Sequence, residues 1–343
     1  MFFFTTYFDK NYLTRGLVLY DSLREHYSQF ELYILCLDEF TLEFFQKNGT
    51  RYPEIKTLSL AEIEASDTEL KACKTNRSLI EYYFTLSPCL PLFILNKYKL
   101  AHICSLDADI LFLDSPKSLF DNLEQHSIVI TPHKFSKQIE HFKTFGIYNV
   151  SFQIFKNNET GIRCLQFWRS QCIEWCGDSF DEKNNRYADQ KYLDNWTELY
   201  PGEVKVLDDN VSGLAPWNLN NFQLTKRGNK FYSNNERIIF YHFHHFKFFN
   251  NYWASNGLNK YGATASPVIA KLYLKYWKKL ERYNASLSLS MDHSVRFAQA
   301  NNLWIKLMNE NYVYLKLVNN YIFSVQVNTL PGILKKQLAK RYA

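Results

Sequence analysis

Two carboxylates interrupt an apolar run: Leu100 to Leu106 reads as a buried strand, Asp107-Ala108-Asp109 breaks it, and Ile110 to Leu113 resumes it. Like charges one residue apart at a buried strand end disfavour folding unless a cation or basic groups neutralise them. A fold containing this segment therefore needs either a solvated Asp-rich turn or a site where something positive binds. Mg²⁺ and Mn²⁺ suit the second case, because they are held by one or two carboxylates and shared with phosphate oxygens.

The rest of the hydrophobic pattern alternates between two periods. Phe2 to Thr6 reads as a strand and Asn11 to Tyr27 as a helix with Leu13, Leu17, Tyr20, Leu23 and Tyr27 at helical spacing, before a second strand at Phe30 to Leu37. Two strand-helix steps in succession predict a parallel sheet with helices packed on it. Further strands are expected at Glu54 to Leu58, Ser127 to Thr131, Ile147 to Phe155 and Arg237 to Phe243. Helices are expected at Asn76 to Tyr98, interrupted at Pro88 and Pro91, at Asn158 to Trp175 and at Tyr187 to Trp196. Beyond Gly262 the pattern is mainly helical, with Ile269, Tyr273, Tyr276, Trp277 and Leu280 on one face, so the expected division is residues 1–262 and a basic extension, 263–343.

Charge separates the same two parts. Residues 1–259 hold 27 Lys and Arg against 31 Asp and Glu, whereas residues 260–343 hold 13 against 3. A basic end on a near-neutral body implies an anionic neighbour, membrane headgroups or an anionic glycan rather than nucleic acid, since the excess lies away from the motifs. Ile333 to Arg341 fits a short basic amphipathic helix that can lie on such a surface. No uncharged apolar run approaches the length of a membrane span, and Met1 to Phe8 ends at Asp9 without a basic leader, so a cytoplasmic protein, peripheral to the membrane, is expected. The seven cysteines lie mostly in apolar segments and read as reduced thiols.

Taken in order, these segments resemble the GT-A (Rossmann-like) nucleotide-sugar glycosyltransferases, in particular glycosyltransferase family 8 and related bacterial surface-polysaccharide enzymes, over roughly residues 2–250. The resemblance implies an α/β fold: a mostly parallel sheet flanked by helices, with the donor over the strand ends. It implies that Thr6, Tyr7, Asp9 and Asn11, in Thr5-Thr6-Tyr7-Phe8-Asp9-Lys10-Asn11-Tyr12, hold uridine. Asp9 and Asn11 suit capping of the following helix equally well. Arg77 is placed near the donor. Asp107 and Asp109 are placed on Mn²⁺ or Mg²⁺, and Asn149, in Tyr148-Asn149-Val150-Ser151, in the sugar pocket with Ser151 where glycine is usual.

Ala188-Asp189-Gln190-Lys191 is similar to the family's Asp-Gln-Asp turn, with Lys191 replacing the last acid, so Asp189 and Gln190 are the expected catalytic pair. Tyr241-His242-Phe243-His244-His245-Phe246-Lys247 resembles the terminal signature in which a histidine, His242 or His244, completes the metal shell and Lys247 meets the diphosphate. The implied reaction is hexosyl transfer from a UDP-sugar to a hydroxyl of a cell-surface or lipid-linked glycan, with retention. If it inverts instead, Asp189, then Asp208 or Asp209, is the candidate base. A sugar-1-phosphate nucleotidyltransferase would carry a Gly-rich phosphate loop that Thr5 to Tyr12 lacks. A non-catalytic glycan- or membrane-binding module is the third reading.

Overall fold

In the computed structural model, which describes residues 1–248, 253–287, 312–316 and 322–326, the N-terminal alternation becomes β1 (Phe2–Phe8), α1 (Leu13–His26), β2 (Phe30–Cys36), α2 (Glu39–Lys47) and β3 (Ile55–Ser59). Next come α3 (Leu60–Ser66), α4 (Thr68–Cys73), α5 (Leu79–Tyr98), β4 (His102–Leu106), β5 (Ile110–Phe112) and α6 (Lys117–Phe120). β6 (Ile128–Pro132), β7 (Tyr148–Lys156), α7 (Glu159–Glu174), α8 (Trp196–Leu199) and β8 (Val204–Val206) complete a seven-stranded sheet of order β3-β2-β1-β4-β7-β6-β8. Within it β7 runs against its neighbours and the other strands share one direction. The mostly parallel α/β sheet flanked by helices is thus as the sequence predicts.

Side chains alternate across this sheet with the period of a pleated strand. Leu32, Ile34 and Cys36 of β2 point into one core with Leu17 and Tyr20 of α1, while Tyr33 and Leu35 point into another with Leu86 and Leu90 of α5 and Leu165 and Trp168 of α7. Both faces are covered, which is why the strands read as continuous apolar runs.

α5 corrects one expectation. It runs unbroken from Leu79 to Tyr98 through Pro88 and Pro91, started by a reciprocal Ser78–Glu81 capping box. An interior proline costs about 3 kcal/mol, and the helix buries Tyr82, Leu86, Cys89, Leu90, Ile94 and Leu95, each contributing roughly 1.5–3 kcal/mol. Burial outweighs the break. The helix is long and apolar enough to cross a bilayer by length and composition, yet most of it faces the protein interior. Two other expected elements are shorter than predicted. Tyr187 to Trp196 is a 3₁₀ turn, Gln190–Asn195, leading into α8, and Arg237 to Phe243 divides into two short strands.

β9 (Leu224–Arg227), β10 (Lys230–Ser233) and β11 (Glu236–Arg237) form an antiparallel ribbon, and β12 (Phe240–His242) pairs antiparallel with β5. β13 (Lys247–Phe248), β14 (Trp253–Ser255), β15 (Tyr312–Lys316) and β16 (Ile322–Gln326) form a second small sheet. The expected helical extension supplies α9 (Pro267–Leu287), whose Ile269, Tyr273, Tyr276, Trp277 and Leu280 join the core beneath α1, together with β15 and β16. The basic helix expected at 333–341 lies outside the described residues.

Candidate active site

β4 ends at Leu106, and the chain turns through Asp107-Ala108-Asp109 into β5. Asp107 N–H donates to Ser151 O at 3.0 Å, anchoring the turn to β7. β5 then pairs with β12 in a register that sets His242 opposite Ile110, and Phe243 N–H donates to Asp109 O at 3.0 Å. This register carries the histidine to the carboxylates across more than a hundred residues of chain. His242 Nε2 lies 3.0 Å from Asp109 Oδ1 and 3.5 Å from Asp107 Oδ2, and one ligand atom from each of the three residues lies within 4.8 Å of the others.

Two oxygens and an imidazole nitrogen at these spacings fit a small divalent cation, whose neighbouring ligands stand roughly 3 Å apart when metal–oxygen distances are about 2.1 Å. The electrostatics favour the same occupant. Burial, opposed by His242 and aided by the charge on Asp109, pushes the Asp107 carboxyl up to about 6. Burial also works against the charge on Asp109, but the facing His242 more than offsets it and holds that carboxyl well below the ordinary range. Burial would lower His242, and Asp109 outweighs it, so the imidazole is raised. A proton on His242 thus does the neutralising that a divalent ion would take over by displacing it. Trp217 packs edge-on against the ring, centroids 5.3 Å apart, and fixes its plane. Its Nδ1 has no hydrogen-bond partner among the described residues.

Two cavities meet at this cluster, one of about 470 Å³ and one of about 590 Å³. Tyr7, Asp107, His242 and His244 line both. The smaller contains Asp9 and Asn11, with Tyr12, Tyr83, Leu79 and Ile80 around them. Asp9 and Asn11 are not spent on capping: Tyr12 stands at the N-cap of α1 and its side chain makes no capping bond, while Asp9 accepts from Asn11 N at 3.0 Å and from Asn11 Nδ2 at 2.9 Å. The pair braces itself at the cavity wall.

The larger cavity contains Asp189, Gln190 and Asn149. Ala188, at φ +44°, and the Trp168 indole N–H, which donates to Asp189 O at 2.9 Å, fix the backbone there. Asp189 is 2% exposed; burial pushes its carboxyl up to about 7, although Ser87 Oγ donates to Oδ2 at 2.5 Å. Tyr7 OH lies 3.1 Å from the same Ser87 oxygen. Gln190 Nε2 donates to Phe145 O at 2.8 Å. Asn149 Oδ1 accepts from Ser151 N at 3.1 Å and from Ser151 Oγ at 2.5 Å, leaving its Nδ2 buried without a partner among the described residues. Ser151 therefore orients this amide.

Other expected residues fall elsewhere. Arg77 is not among the residues lining either cavity: its guanidinium donates to Thr85 Oγ1 and, at 2.7 Å, to Ile173 O, tying α5 to α7. Lys247 lies exposed at the start of β13 and is not among the residues lining either cavity. Thr6 is buried in β1 beneath the site. His244 lines both cavities but stands outside the three-ligand group, its ring 5.4 Å from that of His242. Neither Asp208 nor Asp209 lines a cavity: Asp209 caps its own turn through Val211 N and Ser212 N, and Asp208 pairs with Lys134 at 3.3 Å.

Several residues carry no signal in the sequence pattern. Ser87, His133, Lys260 and Tyr261 reach the site only by folding. Buried Arg15 donates to Phe246 O at 2.8 Å and stacks over the Tyr12 ring at 4.4 Å, bracing the His242 loop against the smaller cavity.

No family model matches the chain. Two Bacillus subtilis (strain 168) proteins described as uncharacterized are similar to it. YfnD is 28% identical over 289 residues, 82% of this chain and 89% of YfnD; YfnF is 28% identical over 250 residues, 70% and 80%. Among solved structures, the chain is similar to mouse xyloside xylosyltransferase 1 in its apo form, at 12% identity and TM-score 0.46 over 70% of this chain and 97% of that one. It is also similar to the galactosyltransferase LgtC in complex with donor and acceptor sugar analogs, at 16%, TM-score 0.42, 62% and 74%. For the glycosyltransferase GlyE of Streptococcus pneumoniae TIGR4 the values are 13%, TM-score 0.48, 84% and 64%.

Proposed function

We propose that the chain is a metal-dependent glycosyltransferase of the GT-A kind, moving a hexosyl group from a UDP-sugar to a hydroxyl of a cell-surface or lipid-linked glycan. One observation carries this reading: Asp107, Asp109 and His242 converge where two cavities of unlike lining meet. A nucleotide sugar has the matching outline, with a flat base and ribose at one end, a polar ring at the other, and a doubly anionic bridge between.

On this reading Asp9 and Asn11 hold the ribose and base within the smaller, largely apolar cavity, and Asp107, Asp109 and His242 hold Mn²⁺ or Mg²⁺ at the bridge. When bound, the ion supplies Lewis-acid stabilisation of the departing diphosphate, worth several kcal/mol. Asn149 Nδ2 offers the transferred sugar an otherwise unmatched donor, and Gln190 and Asp189 line the space that sugar enters. Asp107 and Asp189 are the carboxylates in that lining, and Asp107 is committed to the ion, so Asp189 is left to orient the ring and stabilise positive charge at its anomeric carbon. Retention suits this arrangement. Asp189 is anchored by Ser87 rather than free to swing onto an acceptor, and the leaving diphosphate oxygen can take the acceptor proton. A lipid-linked acceptor would place the enzyme at the cytoplasmic face of a membrane, in keeping with its basic C-terminal part.

Incubation with a panel of nucleotide sugars and Mn²⁺, followed by UDP release, tests the reading. At least one UDP-sugar should turn over, and chelation should stop it. Pyrophosphate release in place of UDP would point to a nucleotidyltransferase. Nucleotide affinity that ignores metal in calorimetric titration would point to a binding module.

A further inference from the structure

α9 divides its circumference by charge. At about 100° per residue, Lys271, Lys275, Lys278, Lys279 and Arg282 fall within an arc of roughly 100°, opposite the face that buries Tyr273, Trp277 and Leu280. Lys271, Lys278 and Arg282 are exposed, and Lys275 and Lys279 half-buried. The stripe runs about 16 Å along the helix at 1.5 Å per residue.

The β9–β10 ribbon extends it sideways. Lys275 Nζ and Lys226 Nζ lie 6.0 and 5.9 Å from the centroid of the same Phe231 ring, which joins helix to ribbon. The turn of that ribbon adds exposed Arg227 and Lys230. Among the described residues, acids do not balance this face. Glu25 pairs with Lys279, Glu236 stands at the start of β11, and Glu281 is turned inward. Burial first, and then the neighbouring Lys279, pull Lys275 below its ordinary value.

We propose that the basic face built from α9 and the β9–β10 ribbon docks the protein onto an anionic phospholipid surface. The cations are spread out rather than convergent, so they match a field of separate mobile charges better than one bound anion. Lysine predominates over arginine, and lysine is a flexible point charge without the fork that selects a single phosphate. Phe231 is 2% exposed and Tyr232 lies beneath Arg227, so the face offers no open aromatic platform on which nucleic-acid bases could stack. The proposal stands apart from the glycosyltransferase reading and uses none of its site residues.

Co-sedimentation of the full chain with vesicles tests it. Vesicles of equal parts phosphatidylglycerol and phosphatidylcholine should carry the protein down at low salt, pure phosphatidylcholine should not, and 0.5 M NaCl should release it. The triple variant Lys271→Glu, Lys278→Glu, Arg282→Glu should lose vesicle affinity at least tenfold. An equal charge change elsewhere, Lys71→Glu, Lys117→Glu, Lys183→Glu, should lose less than threefold. Circular dichroism and Mn²⁺-linked UDP binding of the first triple should match the parent, separating lost docking from lost fold and from the state of the active site. Failure of the parent to bind, equal losses in the two triples, retained binding in the first triple, or tighter binding to duplex DNA than to the anionic vesicles would each overturn the assignment.

Discussion

Two sets of carboxylates line the adjoining cavities, in unlike surroundings. Asp107 and Asp109 face a histidine whose own pKa they raise, so positive charge is drawn to them. Asp189 has neutral donors instead: Ser87 donates to it and Tyr7 lies beside Ser87, and burial raises its carboxyl to about 7. The difference lies in the partner, since the residue type is the same. Beside the histidine Asp109 is held charged in low dielectric, whereas Asp189, with no cation beside it, is pushed up by burial that its hydrogen-bond donors only partly oppose. The first arrangement invites a metal ion, and the second keeps the sugar side close to neutral until substrate arrives.

The strongest way to break this contrast is Asp109→Asn. Removing one ligand and its charge should lower UDP release by about a thousandfold or more, the loss of roughly 4 kcal/mol of leaving-group stabilisation. Unchanged turnover would take Asp109 out of the mechanism. Asp189→Asn tests the other side through stability. Because its folded pKa of about 7 exceeds the ordinary 3.8, Asp189 supports the fold fully below about pH 4 and that support drains away as pH rises to about 7. The asparagine variant should lack this component, so parent minus variant stability falls between pH 4 and pH 8 by at most roughly 4 kcal/mol. Denaturant titrations of both proteins at the two pH values measure it, and parallel curves would show that Asp189 titrates normally.

Ser87→Ala sharpens the contrast further. It removes the hydroxyl that opposes the rise in Asp189, so the acid limb of the activity profile should move to higher pH by about one unit. A limb that stays put would assign it to another group. Smallest is His244→Ala. With its ring beside the three-ligand cluster but not part of it, His244 should cost less than about tenfold in Mn²⁺ affinity, against far more for His242→Ala. Reversal of that order by calorimetry would exchange the two histidines.

The local motifs were legible because they are contiguous. The Asp107–Asp109 turn shows in the sequence as an apolar run broken by acid, and β1, β2 and β4 show as apolar blocks because helices cover both sheet faces. Asp9 with Asn11, and Asp189 with Gln190, were legible for the same reason, each pair being short and adjacent to a predicted element. Arg77 and Lys247 show where that reasoning stops. A charge near a motif in sequence can be claimed by a carbonyl across the fold, as Ile173 O claims Arg77, or stand outside the cavity linings, as exposed Lys247 does. Nothing adjacent in sequence marks Ser87 as the partner of Asp189, since 102 residues separate them. Pro88 and Pro91 misread for a related reason: a local cost was visible, and the burial that outweighs it was not.

By itself the sequence determined the alternation of strand and helix, the acidic break at the end of β4, and the concentration of positive charge in the last quarter of the chain. Those are properties of neighbours along the backbone, where side-chain spacing alone sets the outcome. Which histidine meets the carboxylates, which acid stays protonated, and that the lysines of α9 share a face with those of the β9–β10 ribbon were decided by the tertiary structure. Strand register and burial set the dielectric and the distances between residues far apart in sequence, and charge interactions depend on both.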